Sequence, residues 1–424
     1  MQVGIEMKKA LIVCEPFPPQ FAPRMGYLVK YLGQFGWEAH VVASDDNSGR
    51  SNMGELTGYA KEVHIIPQKP HRKWNLLHLL ALFWPFDYLR GEYDLRRKAL
   101  EIARSNKFEV VLSSISFNVF PAYTALWVAR KCNLPHILDI RDLSEQSGVR
   151  CHFWQMKGKE LLSLIWSRLR FMGRYFRNKV IRESSAVVSV SDWHCNFLKK
   201  WNPHVHLIYN GFDPETFYPT EPAKSDTFTI VYMGTLGTKA IRDPELLFRA
   251  TRQLSEEHLI SRETFRMKFY CGDTGDSQAA TMARELGVDD FCDFLDFIPS
   301  SDVPHVLQTA SMLLVLTNRS EGEGPKGTLT TKFFEYLAVN RPILCVRSDE
   351  TCLEAAIRET NSGLAGRNVE EVCEYLKSKV LEWKVNGCVR GTTDPAALEK
   401  YSRVRQAEQF VDVFENAVRR RNVR

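Results

Sequence analysis

Short apolar runs alternate with segments whose apolar residues recur every three or four positions. In the first half, an apolar run at 10–15 ends at prolines, and a helical pattern follows at 25–35. Further strands are predicted at 39–43, 63–66, 110–112, 136–140, 187–190 and 205–208, with a helix at 120–131. Apolar strands that alternate with helices are typical of a parallel sheet covered on both faces.

The same rhythm restarts after a polar stretch with two prolines at 218–226. Strands are predicted at 229–233, 267–271, 291–295, 312–316 and 343–346, and helices at 244–256, 278–286 and 303–309. We therefore predict an α/β fold of two Rossmann-like, doubly wound parallel-sheet domains that face an interdomain cleft. The expected domains are 1–218 and 219–395, and a final helix at 396–424 packs back on the first domain.

Composition narrows the class of protein. A chain of 424 residues with 44% hydrophobic and 25% charged residues is typical of a globular protein with more than one domain. Its ten cysteines form no C-x-x-C pair, which argues against a zinc site or a disulfide scaffold and fits a reducing compartment. We find neither a signal peptide nor an apolar segment of about 20 residues, so we expect a cytoplasmic location.

Charge is unevenly distributed. Residues 1–218 carry 29 Lys and Arg against 20 Asp and Glu, and the remainder carries 27 against 31. Two basic segments, at 69–90 and 157–182, mix cations with Trp, Phe and Leu. An anionic membrane surface is one interpretation of both. An apolar lid over an acceptor groove is the alternative for the first segment, and a core-facing stripe is the alternative for the second. No nucleic-acid-binding module accompanies the charge, so nucleic acid is not an expected partner.

Candidate chemistry lies in loops at strand ends. The sequence has no P-loop, no dinucleotide fingerprint and no nucleophile elbow. The loop from Gly234 to Pro244 is rich in glycine and carries Lys239 and Arg242 just before a helix. Glycine lets a backbone approach a ligand, and a helix start favours an anion. The alternative is a solvated basic turn in which Asp243 caps the helix.

Lys332 and Glu335 lie one turn apart in a short predicted helix. This helix follows the strand 312–316 and a Gly-rich stretch. Spacing alone also fits a surface ion pair worth a few tenths of a kcal/mol. The position after a strand and a Gly-rich loop favours a ligand-facing site.

Taken in order along the chain, these motifs resemble a GT-B glycosyltransferase of the retaining group called family 4. The motifs are Pro16-Phe-Pro-Pro19 with Arg24 and Gly26, Leu138-Asp-Ile-Arg-Asp-Leu143, Asn210-Gly-Phe-Asp213, Gly234-Thr-Leu with Arg242-Asp-Pro244, and Lys332-x-x-Glu335 with Arg341-Pro342. Each motif is weak to moderate alone, and their order and spacing make the resemblance strong.

The resemblance implies a role for each matching residue. Glu335 would accept hydrogen bonds from the ribose hydroxyls of a nucleotide-sugar, and Arg242 with Lys239 or Lys332 would hold the diphosphate as it departs. Further donor contacts would come from Gly234, Thr330, Thr331, Arg24 and Gly26. Arg141, Asp142 and Asn210 would line the sugar or acceptor side, although an internal salt bridge is an equal alternative for the first two. No cofactor or metal is implied.

One position departs from the family pattern. Many members have a second glutamate eight residues before the one that matches Glu335, and here that position is Gly327. The nearby Glu321 and Glu323 are alternative sources of a carboxylate.

The expected function is transfer of a sugar from a nucleotide-diphosphate-sugar to a glycan or lipid-linked acceptor, with retention, in surface polysaccharide synthesis. The expected location is the cytoplasm, including the inner face of the membrane. Two alternatives stay open at this point: a nucleotide-sugar 2-epimerase on the same fold, and a sugar-nucleotide-binding subunit without catalysis.

Overall fold

The structure is a computed structural model that describes residues 6–45, 53–67, 86–116, 119–143, 145, 174–237, 242–272, 277–317, 327–346 and 352–423. The chain divides into two compact units. The first comprises 1–145, 149–209 and 403–424, and the second contains 210–402. The division at Tyr209 precedes the proline-containing stretch at 218–226, and the last helix groups with the first unit.

The first unit is built on a seven-stranded parallel sheet in the order β3-β2-β1-β4-β5-β6-β7. Its strands are β1 Lys8–Cys14, β2 Trp37–Ser44, β3 Glu62–Ile66, β4 Val110–Ile115, β5 His136–Ile140, β6 Ala186–Ser189 and β7 Val205–Leu207. Its α-helices, among the described residues, are α1 Pro23–Leu32, α2 Phe86–Ser105, α3 Phe120–Lys131, α4 Asp192–Leu198 and α12 Arg403–Asn422.

Both faces of this sheet are covered. Alternate residues of β1 enter different cores, because successive side chains of a strand point to opposite faces. Ile12 packs in a core with Leu28 of α1 and Phe410 of α12. Val13 packs in the core that contains Val128 of α3. The apolar run at 10–14 is therefore buried on both sides, which is why it lacks polar alternation.

The second unit is built on a six-stranded parallel sheet in the order β10-β9-β8-β11-β12-β13. Its strands are β8 Phe228–Met233, β9 Phe265–Tyr270, β10 Cys292–Leu295, β11 Met312–Leu316, β12 Ile343–Val346 and β13 Gly363–Gly366. Its helices are α5 Glu245–Glu256, α6 Gln278–Glu285, α7 Val303–Thr309, α8 Thr331–Val339, α9 Cys352–Glu359, α10 Val369–Asn386 and α11 Pro395–Glu399.

The predicted α/β class with two doubly wound parallel sheets is confirmed. The sequence pattern missed α2 and α4 in the first unit and α9, β13 and α10 in the second. The predicted helix at 396–424 is divided into α11 and α12.

Both basic segments singled out in the sequence fall largely outside the described residues. No helix among the residues that the structure describes has the length and apolar character needed to span a bilayer.

Candidate functional site

The strand order of the second unit reverses between β8 and β11. From β8 the chain proceeds outward to β9 and β10, and from β11 it proceeds the other way to β12 and β13. Loops leave the carboxyl ends of these two strands in opposite directions, and ligands of open α/β sheets bind at such a point. Gly234 follows β8 directly, and α8 begins after the loop that leaves β11.

Gly234 and Lys332 meet at this point. Gly234 has φ +120°, and a Cβ built on it would lie 2.1 Å from Lys332 Nζ and 2.4 Å from Lys332 Cε. The lysine side chain therefore occupies the space that any side chain at position 234 would need. The Lys332 ammonium also lies 5.6 Å from the centre of the Tyr232 ring. This contact supports a cation on the aromatic face.

Arg242 is held at the same loop by Thr235. Its Nη1 donates to Thr235 Oγ1 at 2.9 Å and also to the Thr235 carbonyl oxygen. The Tyr232 hydroxyl donates to that carbonyl oxygen at 3.0 Å. Lys239 lies outside the described residues. At the following helix the N-cap is Pro244 and α5 begins at Glu245, so the predicted cap and first residue are each one position early. Asp243 Oδ1 still accepts a hydrogen bond from the N–H of Glu245 at 3.0 Å.

The start of α8 presents donors to this point. Thr331 is its first residue, and Thr330 is the N-cap without a side-chain capping bond. Within the described part of the chain, Thr330 Oγ1 is buried and has no hydrogen-bond partner. A buried polar atom usually has a partner, so this hydroxyl is available to a ligand. Glu335 lies one turn further along and is half-buried.

The electrostatics of Lys332 tie the site together. Its pKa is lowered to about 8, chiefly by burial and further by the positive charge of Arg242, while the Glu335 carboxylate opposes the shift. The charges of Lys332, Arg242 and Glu335 thus interact at the carboxyl end of the sheet. An anionic ligand would relieve the repulsion between the cations.

Gly327, the position where family 4 proteins often have glutamate, has φ +72°. That left-handed conformation favours glycine and disfavours a longer side chain. The departure from the family pattern therefore has a backbone reason here. Glu321 and Glu323 lie outside the described residues.

Arg24 belongs to the first unit, where its guanidinium is buried and paired. Nη2 donates to Asp139 Oδ1 at 2.8 Å, and Nε donates to both carboxylate oxygens at 3.0 Å. The carbonyl oxygens of Ile208 and Tyr209 accept further hydrogen bonds from Nη2 and Nη1. Within this unit these hydrogen bonds fix the Arg24 side chain, and its predicted donor-binding role stays a prediction.

Gly26 serves close packing. A Cβ on it would lie 2.8 Å from Leu56 Cδ1 and 2.9 Å from Pro18 Cγ, so α1 needs glycine to approach both side chains. The predicted contact of Gly26 with the nucleotide-sugar donor stays untested by this packing.

The predicted acceptor-side residues do not all belong to one unit. Arg141 and Asp142 follow β5 in the first unit, and Asn210 opens the second. Among the described residues Arg141 and Asp142 form no ion pair, and the buried Nε of Arg141 has no hydrogen-bond partner. The salt-bridge alternative for these two residues is therefore not what the structure shows.

Three residues of the site were not predicted: Tyr232, Thr235 and Tyr336. Tyr336 is 1% exposed, and its hydroxyl oxygen accepts the N–H of Met233 at 3.1 Å. Both tyrosines sit in apolar runs and read as core residues in a sequence. Only the structure shows that their hydroxyl groups lie near the end of β8.

Comparison with known proteins agrees with this architecture. Residues 24–216 match the model of Glycosyltransferase Family 4. No curated protein matches the chain.

Solved structures match the chain over nearly its full length. Alr3699/HepE from Anabaena, in complex with UDP, is 11% identical with a TM-score of 0.60, covering 97% of this chain and 100% of that one. Sucrose-phosphate synthase from Thermosynechococcus elongatus is 12% identical with a TM-score of 0.60, covering 97% and 98%. The lipopolysaccharide outer core galactosyltransferase WaaB is 13% identical with a TM-score of 0.56, covering 97% and 99%.

At these identities the likeness shows the fold, and the family match is carried by the first half of the sequence. On these two findings together, the chain has the GT-B fold, and its residues 24–216 are similar to Glycosyltransferase Family 4.

Proposed function

We propose that the second unit binds a nucleotide-diphosphate-sugar at the β8–β11 switch point and that the protein transfers the sugar to a glycan or lipid-linked acceptor with retention of configuration. The observation that carries the proposal is the packing of Lys332 on Gly234, beside Arg242 and one helical turn from Glu335. The UDP in the HepE structure supports a nucleotide as the ligand class.

In this proposal each group has one task. The Glu335 carboxylate accepts hydrogen bonds from ribose hydroxyls. Lys332 and Arg242 neutralise the diphosphate, which gains negative charge as the bond to the sugar breaks. Thr330 Oγ1 and the N–H groups at the start of α8 donate to phosphate oxygens. No metal is needed, because two cations and a helix start already face the leaving group.

The acceptor side is proposed from the first unit. Arg141 follows β5 at the carboxyl edge of that sheet, where ligands of such sheets bind, and its Nε has no partner among described residues. Asp142 follows it directly and is proposed for the same side, and the role of Asn210, in the second unit, stays a prediction. We place the reaction in the cytoplasm, at the inner face of an anionic membrane, in surface polysaccharide synthesis. The excess of basic residues in 1–218 supports this location.

The test is a panel of UDP-, GDP- and CMP-sugars, incubated with and without a membrane extract that contains lipid-linked glycans. Release of nucleoside diphosphate that requires the extract is the expected result. The anomeric configuration of the product, read by NMR, then tests retention.

Two other outcomes would contradict the proposal. Epimerised sugar formed without acceptor would show a nucleotide-sugar 2-epimerase. Saturable donor binding with no turnover under any acceptor condition would show a binding subunit, an outcome consistent with glycine at position 327.

A further inference from the structure

The end of β8 has a backbone group that the sheet does not satisfy. Successive N–H groups of a strand point to opposite sides, and Gly234 donates to Tyr270 of β9 at 2.9 Å. The N–H of Met233 therefore points toward β11. The pairing of β8 with β11 covers Ile230 with Met312 and Val231 with Leu313, so it ends before Met233.

The Tyr336 hydroxyl takes the place of the missing strand partner. Its oxygen accepts the Met233 N–H at 3.1 Å, and the residue is 1% exposed. Because a buried N–H without a partner is unfavourable, this hydrogen bond holds α8 to the end of β8. Tyr336 lies one turn after Lys332 on the same helix and directly after Glu335. The bond thus fixes the helix that carries both predicted ligand-binding side chains.

The space between α8 and the end of β8 allows little movement of the helix. A Cβ built on Gly234 would lie only 2.1 Å from Lys332 Nζ, so the ammonium packs against the glycine. A shift or rotation of α8 by a fraction of an ångström would move the ammonium relative to the Gly234 backbone. Tyr232 fixes the other side, because its ring lies 5.6 Å below the ammonium and its hydroxyl donates to Thr235 at 3.0 Å.

We propose that Tyr336 and Tyr232 are positioning residues for the phosphate-binding cations: Tyr336 holds Lys332 against Gly234, and Tyr232 holds the turn to which Arg242 is bound. The inference rests on the proposed function of this site. Neither tyrosine needs to touch the ligand, and their hydrogen bonds go to Met233 and Thr235 on either side of Gly234, so their effect should be largest on the part of the ligand that the cations recognise.

Tyr336→Phe tests the inference, because it keeps the ring and removes the hydroxyl. Affinity is measured by calorimetry for UDP, GDP and CDP, and for the nucleoside that matches the best binder. We expect the ratio of diphosphate to nucleoside affinity to fall about tenfold, equivalent to about 1.4 kcal/mol. Nucleoside affinity should fall much less than diphosphate affinity, and with the cognate donor KM should rise.

Tyr375→Phe is the matched control. This tyrosine is also packed in the second unit, on α10, where its ring faces Lys379 rather than the end of β8. It should leave the affinity ratio unchanged, even where the thermal midpoint falls as much as in Tyr336→Phe.

The outcomes separate the inference from the proposed function. An unchanged affinity ratio in Tyr336→Phe would make the tyrosine a purely structural residue and overturn the inference, while the donor site would stand. If Tyr336→Phe does not fold, Tyr232→Phe is read instead, with an expected fall of about threefold in the same ratio, or about 0.7 kcal/mol. Failure of the wild-type protein to bind any of the three diphosphates would overturn both proposals.

Discussion

At the scale of single residues, Lys332 makes the clearest prediction, and it concerns pH. Its pKa is lowered to about 8 by burial and by Arg242. A diphosphate binds the protonated form, so affinity should be fully present below pH 8 and should fall as the pH rises through that value. Binding should also take up protons near pH 8, measurable by calorimetry in buffers of different ionisation enthalpy.

Lys332→Arg is the control for this pH dependence. An arginine at this position stays charged throughout, so the decline in affinity near pH 8 should disappear. A decline of equal size in the variant would show that another group titrates. The lowered pKa of Lys332 also determines how the free energy of unfolding depends on pH. Because the folded pKa lies below the ordinary 10.5, the contribution of Lys332 to the free energy of unfolding should rise between pH 8 and 10.5.

Glu335 makes the second prediction at this scale. Glu335→Gln keeps the size of the side chain but removes the charge that strengthens hydrogen bonds from ribose hydroxyls. Nucleotide-sugar affinity should weaken at least tenfold, or about 1.4 kcal/mol. Titration of a 2′-deoxy analogue is the decisive measurement, because the variant should discriminate less between ribose and deoxyribose. Equal discrimination in a folded variant would remove the ribose assignment.

At Arg24 the structure adds a buried pairing that the sequence does not show, and the predicted donor-binding role stays a prediction. The family pattern predicts a donor-binding arginine, and the sequence does not reveal that its partner is Asp139, 115 positions away. Burial and long-range pairing depend on how the strands are ordered, which spacing along the chain does not give. Lys332, Glu335, Gly234 and Arg242 could be predicted because loops after strands of a parallel sheet converge at one edge.

At the scale of elements, β13 shows why a short strand was missed. The run Gly363–Gly366 has two glycines and one large apolar side chain, so it lacks a strand pattern. The structure explains the first glycine, because a Cβ on Gly363 would lie 1.8 Å from the carbonyl oxygen of Ile343 on β12. The helix α10 was also missed, although its sequence has capping residues at both ends: Asn368 accepts the Glu371 N–H at 2.8 Å, and Gly387 ends the helix in the left-handed region.

The close approach of β13 to β12 gives a prediction at this scale. Gly363→Ala forces the two strands apart, so we expect the free energy of unfolding to fall by about 1–3 kcal/mol. Urea denaturation is the measurement, and Gly33→Ala is the control, since a Cβ there meets nothing within 4 Å. Equal midpoints for the two variants would show that the strand pair adapts without cost.

At the scale of the whole molecule, the chain builds its first unit from two distant parts. Residues 210–402 form the second unit and lie between the first 209 residues and α12. Phe410 of α12 is completely buried in the core that contains Ile12 and Leu28, and its ring lies 5.3 Å from the Arg24 guanidinium. The helix α12 thus completes the first core.

Phe410→Ala tests this dependence. Loss of a buried phenylalanine costs about 3–5 kcal/mol, and the loss should fall on the first unit alone. A bound nucleoside diphosphate stabilises the second unit by mass action and separates the two transitions in a calorimetric melt. Phe410→Ala should lower the transition that nucleotide does not raise, whereas Phe248→Ala, in the core of the second unit, should lower the other. If Phe410→Ala moved only the nucleotide-sensitive transition, α12 would stabilise the second unit, and the division of the chain described above would be wrong.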